Sequence, residues 1–413
     1  MSLTAAGRFF KDEKWAFVIA AALTLLMQIA EYGGWVAGIE GKILDLLLRP
    51  AVASAATPDA SLIATLAIDD EAYKQCFQST SPMNPRRVIE IVNRIAEAEP
   101  LMIGVDIITD SDQYRKLPTP AAHMKIVWIA GADQVNNERA DFFHWLAGGE
   151  DNLIVRPTKV LGQQPGSFEE TSTRMWAVPV FARDDDLGLR RVPREMELAS
   201  DPFHSNVRQH RPSWPTKIAE AYCEDHNCKP AVEGHEVFIS YSGRGPAKYR
   251  VLDLVSCSDK GVTEAPLAAE VRSRLKDKIV LIGGTFSSAR DSYPTPAGRE
   301  FGLNINARAI QAEIERTVVG ETWRPLSILL DLLIGGVIVF FFWFWNQPPR
   351  ASVRLPMAAS ALLLALTVIA SLLLFRAGFI WVSFVGVAFG VVLHQLVEVW
   401  REDPKPHGHH ASH

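Results

Sequence analysis

Long apolar runs lie near both ends of the chain, whereas the middle alternates short apolar runs with polar stretches. The first run, residues 15–37, contains a single charged residue, Glu31. Three more runs follow towards the C-terminus, at residues 326–345, 355–375 and 379–399. Each is about as long as a helix must be to cross a bilayer. The pattern therefore predicts four transmembrane helices, one N-terminal and three C-terminal.

The first apolar run has a second interpretation, a cleaved signal peptide. Arg8, Lys11 and Lys14 form the basic flank that such a peptide carries. The run is long, however, and no pair of small residues at a cleavage spacing follows it. We therefore favour an uncleaved anchor.

Lysine and arginine near the ends of these runs predict how the helices are oriented. The basic residues that fall on one side of the four runs are Arg8, Lys11, Lys14, Arg350, Arg354, Arg401 and Lys405. Because basic residues are enriched in cytoplasmic segments, residues 1–14 and the tail 400–413 are expected in the cytoplasm. Residues 38–322 are then expected to form one domain outside the cytoplasm.

The start of this domain has the pattern of a crossover unit. Residues 62–68 form an apolar strand pattern, a helix pattern begins at Pro85, and residues 101–106 form a second strand pattern. Strand, helix and strand in this order give two parallel strands joined by a right-handed crossover. Asp69 and Asp106 are therefore expected at the same edge of the sheet.

Residues 278–285 predict the centre of the sheet. An apolar run rich in Val, Ile and Leu ends there at Gly283 and Gly284. Such a run suits a strand buried on both faces, as in a parallel sheet covered by helices. Ligands bind beyond the carboxyl ends of such strands, so the loop 283–298 is a candidate ligand site. A helix is expected from about residue 306 to residue 319, leading towards the second apolar run.

Two stretches of the middle region have no clear pattern. Residues 131–175 mix Gly, Gln and Pro with apolar positions and receive no assignment. Residues 183–213 are rich in charge and proline. We expect them to form an exposed, partly irregular insertion.

Several residues resemble the motifs of one family, the CHASE domain, type 2. The Ile-Asp-Asp run and the second-strand Asp of that family are matched by Asp69, Asp70 and Asp106. Its Asp-x-x-x-Thr-Pro loop is matched by Asp291 and Thr295. The resemblance extends over roughly residues 40 to 400.

Two further motifs match this family with changes. The segment that contains Asp184 and Asp186 is similar to the Asp-x-Asp-Gly-Val-x-Arg motif, but its glycine is displaced to Gly188. Residues 302–307 are similar to the Gly-x-x-x-His-Ala motif, with Asn306 in place of the histidine. A titrating imidazole is therefore absent at that position.

The resemblance implies the fold and the cellular setting. Members of the family are extracytoplasmic sensory modules attached to bacterial histidine kinases and cyclases. One membrane helix precedes the module and about three follow it. We therefore expect an α/β sensory domain with a mainly parallel sheet, held in the bacterial inner membrane by four helices.

The motifs and the predicted sheet edge together define a tentative ligand-binding set. Its members are Asp69, Asp70, Asp106, Asp184, Asp186, Gly283, Gly284, Asp291, Thr295 and Asn306. The carboxylates could hold a divalent cation, since hard cations take several carboxylate oxygens. Alternatively they are helix caps and solvated loop charges. No cofactor is evident.

The cysteines and one acidic residue leave further alternatives open. Cys223 and Cys228 could bind a metal together with His226, but an oxidising compartment favours a local disulfide. Cys76 and Cys257 are the remaining possible pair. Asp331 lies inside the second apolar run. We interpret it as a functional residue within the membrane or, alternatively, as a residue that reaches the membrane interface.

Composition and motifs narrow the function. A net charge of −5 without a basic stripe gives no indication of a nucleic-acid partner. His-Glu-x-x-His, Gly-x-Ser-x-Gly and Ser-x-x-Lys motifs are absent, so we do not expect an enzyme. We expect a membrane-bound sensor of an unknown small ligand or ion.

The sequence ends soon after the last apolar run, so a signal is expected to pass to a separate cytoplasmic or membrane partner. A homodimer is possible. The alternatives are a membrane-anchored, metal-dependent periplasmic hydrolase and an assembly scaffold.

Overall fold

A computed structural model of the chain divides it into two compact units. The ranges that the structure describes are 14–35, 37–48, 61–117, 124–138, 140–147, 152–181, 188–199, 209–229, 236–239, 241, 245–258, 261–262, 268–318, 320–321, 323–346, 354–378, 380–381, 388 and 392. Residues 41–139 and 150–320 make up the sheet unit, and residues 1–40, 140–149 and 321–413 make up the helical unit.

The secondary structure alternates strands and helices through most of the chain. The helices are α1 (Lys14–Tyr32), α2 (Ala37–Leu48), α3 (Asp70–Phe77), α4 (Pro85–Ala96), α5 (Phe142–Leu146), α6 (Trp214–His226), α7 (Val251–Leu254), α8 (Ala269–Leu275), α9 (Gly302–Glu315), α10 (Arg324–Asn346) and α11 (Arg354–Gly378). The strands are β1 (Ile63–Ile68), β2 (Met102–Asp106), β3 (Lys125–Ile129), β4 (Ala132–Glu138), β5 (Asn152–Pro157), β6 (Arg174–Ala177), β7 (Arg191–Pro193), β8 (Glu195–Leu198), β9 (Gln209–Pro212), β10 (Glu236–Phe238), β11 (Ala247–Arg250), β12 (Cys257–Ser258), β13 (Gly261–Val262), β14 (Ile279–Gly284), β15 (Ser292–Thr295), β16 (Gly298–Phe301), β17 (Gly320–Glu321) and β18 (Ile380–Trp381).

A six-stranded parallel sheet forms the centre of the sheet unit. Its order is β11-β1-β14-β2-β3-β6, and every neighbouring pair is parallel. Helices α3 and α4 cover one face, and α6 and α9 cover the other. This double covering explains why β14 is apolar along its length. The prediction of an α/β fold with a mainly parallel sheet is confirmed.

The two faces of the sheet carry separate apolar clusters because strand side chains alternate in direction. Leu66 and Trp128 lie in the cluster that includes α3 and α4. On the other face Leu281 lies in a cluster with Trp214 of α6 and Ile310 of α9. All five are at most 1% exposed, so α9 is fixed to the sheet by a closed core.

The region 131–175, which the sequence pattern left unassigned, contributes to a second sheet. Strands β4, β5, β8 and β9 form a four-stranded sheet in that order. Strands β7 and β10 pair separately, as do β15 and β16. Most positions in β4 and β9 are polar, which removed the alternation that predicts a strand.

The prediction of an exposed insertion over residues 183–213 is wrong for part of that segment. Leu189 is 0% exposed and Arg190 is 3% exposed. The guanidinium of Arg190 donates to both carboxylate oxygens of Asp45 in α2, at 2.8 and 3.0 Å. A charged residue is buried there because its charge is paired, a contact between residues far apart in sequence.

Two disulfides are present in the sheet unit. Cys223 and Cys228 are joined at the end of α6, with an S–S distance of 2.12 Å. Cys76 and Cys257 join α3 to β12 across a sequence separation of 181 residues. The second bridge closes a long loop, which restricts the unfolded chain more than the first does.

The helical unit contains two helices that are long and apolar enough to cross a membrane, within the part of the chain that is described. They cover residues 324–345 and 357–376, with mean hydropathy 2.4 and 2.5. Among the described residues the structure thus supports two of the four predicted membrane-crossing helices. The predicted span 379–399 lies almost entirely outside the described residues, of which 380–381 form β18 and 388 and 392 are helical.

Two predicted helix boundaries are corrected. α1 ends at Tyr32 rather than at residue 37, because Gly34 adopts a positive φ of 75° that stops the helix. α9 ends at Glu315 and not at residue 319, because Arg316 adopts a left-handed conformation with φ 56°. Residues 316–323 therefore separate α9 from the start of α10 in the chain.

Candidate functional site

Three neighbouring strands of the central sheet end at the same edge. In the parallel register Ile68 is opposite Gly284, and Gly283 is opposite Asp106. The residues that follow β1, β14 and β2 are therefore neighbours, as the crossover pattern predicted. This is the edge where open α/β sheets bind ligands.

Asp106 is the acidic residue set deepest in this edge. Its carboxylate accepts a hydrogen bond from Nδ2 of Asn306 at 3.3 Å. Burial, and then the nearby charge of Asp291, raise the pKa of Asp106 from its ordinary value of 3.8 to about 7, with the hydrogen bond from Asn306 opposing both. The residue as a whole keeps partial exposure at the strand end.

Asp291 lies at the base of the β15–β16 hairpin, next to the first residue of α9. Its pKa is raised by burial and lowered by hydrogen bonds from the Tyr293 side chain and the Gly302 backbone N–H. A Cβ at Gly302 would collide with the Asp291 carboxylate. Gly302 therefore allows a carboxylate to rest against the N-terminus of α9, where the helix dipole favours negative charge.

Asn306 joins this edge to α9. The residue is 1% exposed, and its amide donates to Asp106. Its carbonyl oxygen Oδ1 is buried and accepts no hydrogen bond from the described residues. A buried acceptor without a donor is costly, so a donor placed at Oδ1 would stabilise this edge. Asp106, Asp291 and Asn306 are called the acceptor cluster below.

Gly283 permits the close approach on which the acceptor cluster depends. A Cβ at this position would lie 3.0 Å from Cβ of Asp106 and 3.0 Å from Cδ1 of Leu303. Both distances are shorter than ordinary carbon contacts. Gly283 therefore lets the end of β14 lie between Asp106 and α9.

The chain matches one known protein family. The family model described as CHASE2 domain matches residues 18–345. The chain belongs to the CHASE2 domain family. This is a family of sensory extracellular domains. A search of curated proteins and a search of solved structures each found no match.

The extent of the CHASE2 match differs from the sequence prediction of residues 40 to 400. It begins inside α1 and ends within α10. The family pattern thus includes the helices on either side of the sheet unit in sequence and stops before α11.

Two acidic residues of this CHASE2 domain use their carboxylate oxygens in contacts within the protein. Asp69 caps α3 by accepting from the backbone N–H of Ala72 at 2.9 Å, and it also pairs with Arg250. Asp70 accepts from the backbone N–H and the hydroxyl of Ser287, both at 2.9 Å. Both lie at the predicted edge, but their oxygens hold α3 and the loop after β14.

Two other predicted residues shape the backbone. The Thr295 hydroxyl donates to the carbonyl of Gly298 at 2.6 Å and accepts from the Ala297 N–H at 3.2 Å, so it closes the turn of the β15–β16 hairpin. A Cβ at Gly284 would lie 2.7 Å from the ring of Phe286. Neither residue belongs to the acceptor cluster.

The remaining predicted residues, Asp184 and Asp186, lie outside the described residues. Within the described ranges, no group of three or more His, Cys, Asp or Glu side chains is placed to hold a metal ion. Sequence reasoning missed Tyr293, which donates to Asp291. Its position two residues after Asp291 in a strand was the available signal, since such residues share a face.

Asp331 has a partner within the helical unit. Its carboxylate accepts from Nε2 of Gln28 in α1 at 3.5 Å, and Gln28 is 5% exposed. Hydrogen bonds between polar side chains hold membrane helices together. Asp331 therefore links α10 to α1.

Proposed function

We propose that this CHASE2 protein is a membrane-bound extracytoplasmic sensor that binds a small ligand at the acceptor cluster. Asp106, Asp291 and Oδ1 of Asn306 all present hydrogen-bond acceptors, and two of them carry or gain negative charge. The complementary ligand carries hydrogen-bond donors or a positive charge, as an amine or a polyol does.

The observation that supports this proposal is that the two amide atoms of Asn306 have different surroundings. Its Nδ2 holds Asp106 at the strand edge, whereas its Oδ1 is buried without a donor among the described residues. A ligand that donates to Oδ1 relieves an unsatisfied acceptor. The same ligand would act on α9, because Asn306 is a residue of that helix.

In this proposal α9 transmits binding towards the membrane. α9 packs against the central sheet, and the chain continues through residues 316–323 into α10. A change in the position of α9 is passed along the chain to α10. A separate cytoplasmic or membrane protein then responds to the altered helices. The protein binds its ligand without converting it, so turnover by the purified chain would contradict the proposal.

A ligand screen tests the site. Full-length protein in detergent is heated with a panel of simple amines, amino alcohols and polyols, because a compound bound by the folded state raises its unfolding temperature. At 100 times its dissociation constant a ligand stabilises by about 2.7 kcal/mol. We expect the effect to be lost in Asn306→Leu and in Asp106→Asn.

The matched control is Asp70→Asn, which changes a carboxylate at the same sheet edge but outside the acceptor cluster. It should respond to the active compound as the unaltered protein does. Equal stabilisation of all four proteins would show that the compound binds elsewhere.

We also propose the topology: four spans in the bacterial inner membrane, residues 38–322 outside the cytoplasm and both termini inside. The distribution of Lys and Arg supports it. A reporter fused after His413 should be cytoplasmic. A cysteine at the exposed position Glu169 should react with an impermeant maleimide in intact cells. Labelling at that position only after lysis would contradict the orientation.

A further inference from the structure

A short aromatic helix from the middle of the chain belongs to the helical unit. α5 lies in the connection between β4 and β5, yet residues 140–149 group with α1 and α10. Asp141 caps the helix by accepting from the backbone N–H of His144 at 2.9 Å. α5 is therefore an ordered element with its own packing.

Tyr32, the last residue of α1, holds α5 from one side. Its hydroxyl donates to the carbonyl of Ala140 at 3.0 Å. Its ring meets those of Phe142 and Trp145 edge to face, each at 5.4 Å between centroids. Trp145 is 7% exposed as a result.

Arg324, the first residue of α10, also contacts α5. Its guanidinium carbon lies 4.4 Å from the centroid of the Trp145 ring, which is cation–π geometry. α5 thus joins the end of α1 to the start of α10. Because α10 meets the length and hydropathy of a membrane-crossing helix, its first residue marks a depth close to the membrane surface.

Large aromatic side chains are exposed in α5, just after α1 and just before α10. Phe143 of α5 is 78% exposed, although its neighbour Phe142 is packed against Tyr32. Trp35, just after α1, is 79% exposed, and Trp323, just before α10, is 65% exposed. Aromatic residues at the ends of transmembrane helices are typical of the membrane–water interface. Amphipathic helices with Trp, Phe or Leu on their apolar face bind in the plane of that interface.

We propose that α5 rests on the membrane surface, with Phe143 inserted between the lipid headgroups and the acyl chains beside Trp35 and Trp323. The partner is the lipid bilayer itself. The exposed residues of α5 next to Phe143 include Asp141 and His144 but no lysine or arginine. Insertion is therefore apolar and does not require anionic lipid.

The test measures how deeply residue 143 lies in the bilayer. Full-length Phe143→Cys carries a nitroxide label in nanodiscs of zwitterionic phosphatidylcholine, and collision of the label with oxygen and with a water-soluble nickel chelate is compared. The matched control is Lys276→Cys, an exposed position in the sheet unit. Because the Phe143 side chain is mostly exposed and meets the Phe142 ring edge to face, its replacement removes little of the packing of α5.

We expect the ratio of oxygen to nickel collisions to be several-fold higher at 143 than at 276, and equal in zwitterionic and anionic bilayers. A ratio at 143 equal to that at 276 would place Phe143 in water and overturn the proposal. A label shielded from both reagents would indicate a protein partner. A ratio that rises only with anionic lipid would show electrostatic attachment in place of apolar insertion. Each of these last two results would also overturn the proposal.

Discussion

The protonation of a single residue, Asp106, depends on the groups that surround it at the sheet edge. The carboxyl group ends β2, lies against Gly283 and receives a hydrogen bond from Asn306. Burial and the charge of Asp291 raise its pKa to about 7. The group therefore changes charge near neutral pH, where an ordinary Asp is fully ionised.

The raised pKa predicts how stability depends on pH. The folded state holds the Asp106 proton up to about pH 7, whereas the unfolded chain releases it near 3.8. Between these values the folded state binds more protons, so this group makes the free energy of unfolding fall as pH rises from about 4 to about 7, and the loss is complete above 7. Asp106→Asn stays neutral, so above pH 7 it should unfold at a higher temperature than the unaltered protein.

The measurement is thermal unfolding from pH 5 to pH 9. The two curves should separate as pH rises from 5 to about 7 and run parallel above that value, while the curve of Asp70→Asn should keep the shape of the unaltered protein's curve. Parallel curves for Asp106→Asn and the unaltered protein between pH 5 and pH 7 would mean that Asp106 is already ionised in that range.

Gly302 supports a second prediction at this scale. An added methyl group would collide with the carboxylate of Asp291, so Gly302→Ala must displace Asp291 or the start of α9. Forcing an extra carbon into a packed position costs about 1–3 kcal/mol. Denaturant unfolding should show that loss. Gly166→Ala is the control, because its Cβ meets no atom within 4 Å; an equal loss in both variants would contradict the argument.

Two helices act as links at the scale of elements. α9 carries Asn306 at the acceptor cluster and packs into the core through Ile310. α2 is held through Asp45, which pairs with the buried Arg190. Both links are polar contacts between residues that are far apart in the sequence.

The Asp45–Arg190 pair predicts a large effect of one mutation. Asp45→Asn removes the charge opposite a guanidinium that is 3% exposed. Weakening the pairing of a buried guanidinium should destabilise by more than about 1 kcal/mol. Glu270→Gln breaks an exposed pair with Arg274 and should cost under about 1 kcal/mol. Equal losses in a urea titration would show that the Arg190 pair contributes no more than a surface pair.

The difference between β14 and β11 shows what sequence pattern can predict at this scale. β14 is apolar because both faces are buried, so its run predicted a central strand and the site beyond it. β11 is an edge strand with Lys248 and Arg250 in it, and no apolar pattern marked it. The partners of Asp69 and Asp70 were unpredictable for a different reason. Arg250 and Ser287 are distant in sequence and meet the two acids only in the folded sheet.

The whole molecule comprises two units that share one chain. The sheet unit contains the acceptor cluster, and the helical unit contains the two apolar helices. Sequence pattern predicted these apolar runs from their length. It did not predict that residues 140–149 belong with them, because five residues of α5 are too short for a periodic signal.

The central claim is that ligand binding at the acceptor cluster changes α9 and the chain that leads to α10. Hydrogen–deuterium exchange of the full-length protein in nanodiscs, with and without a stabilising amine or polyol, tests it most directly. The account predicts slower exchange in residues 302–315 and altered exchange in residues 316–326, with both effects lost in Asn306→Leu and kept in Asp70→Asn. Protection confined to the strand ends, with residues 302–326 unchanged, would contradict it.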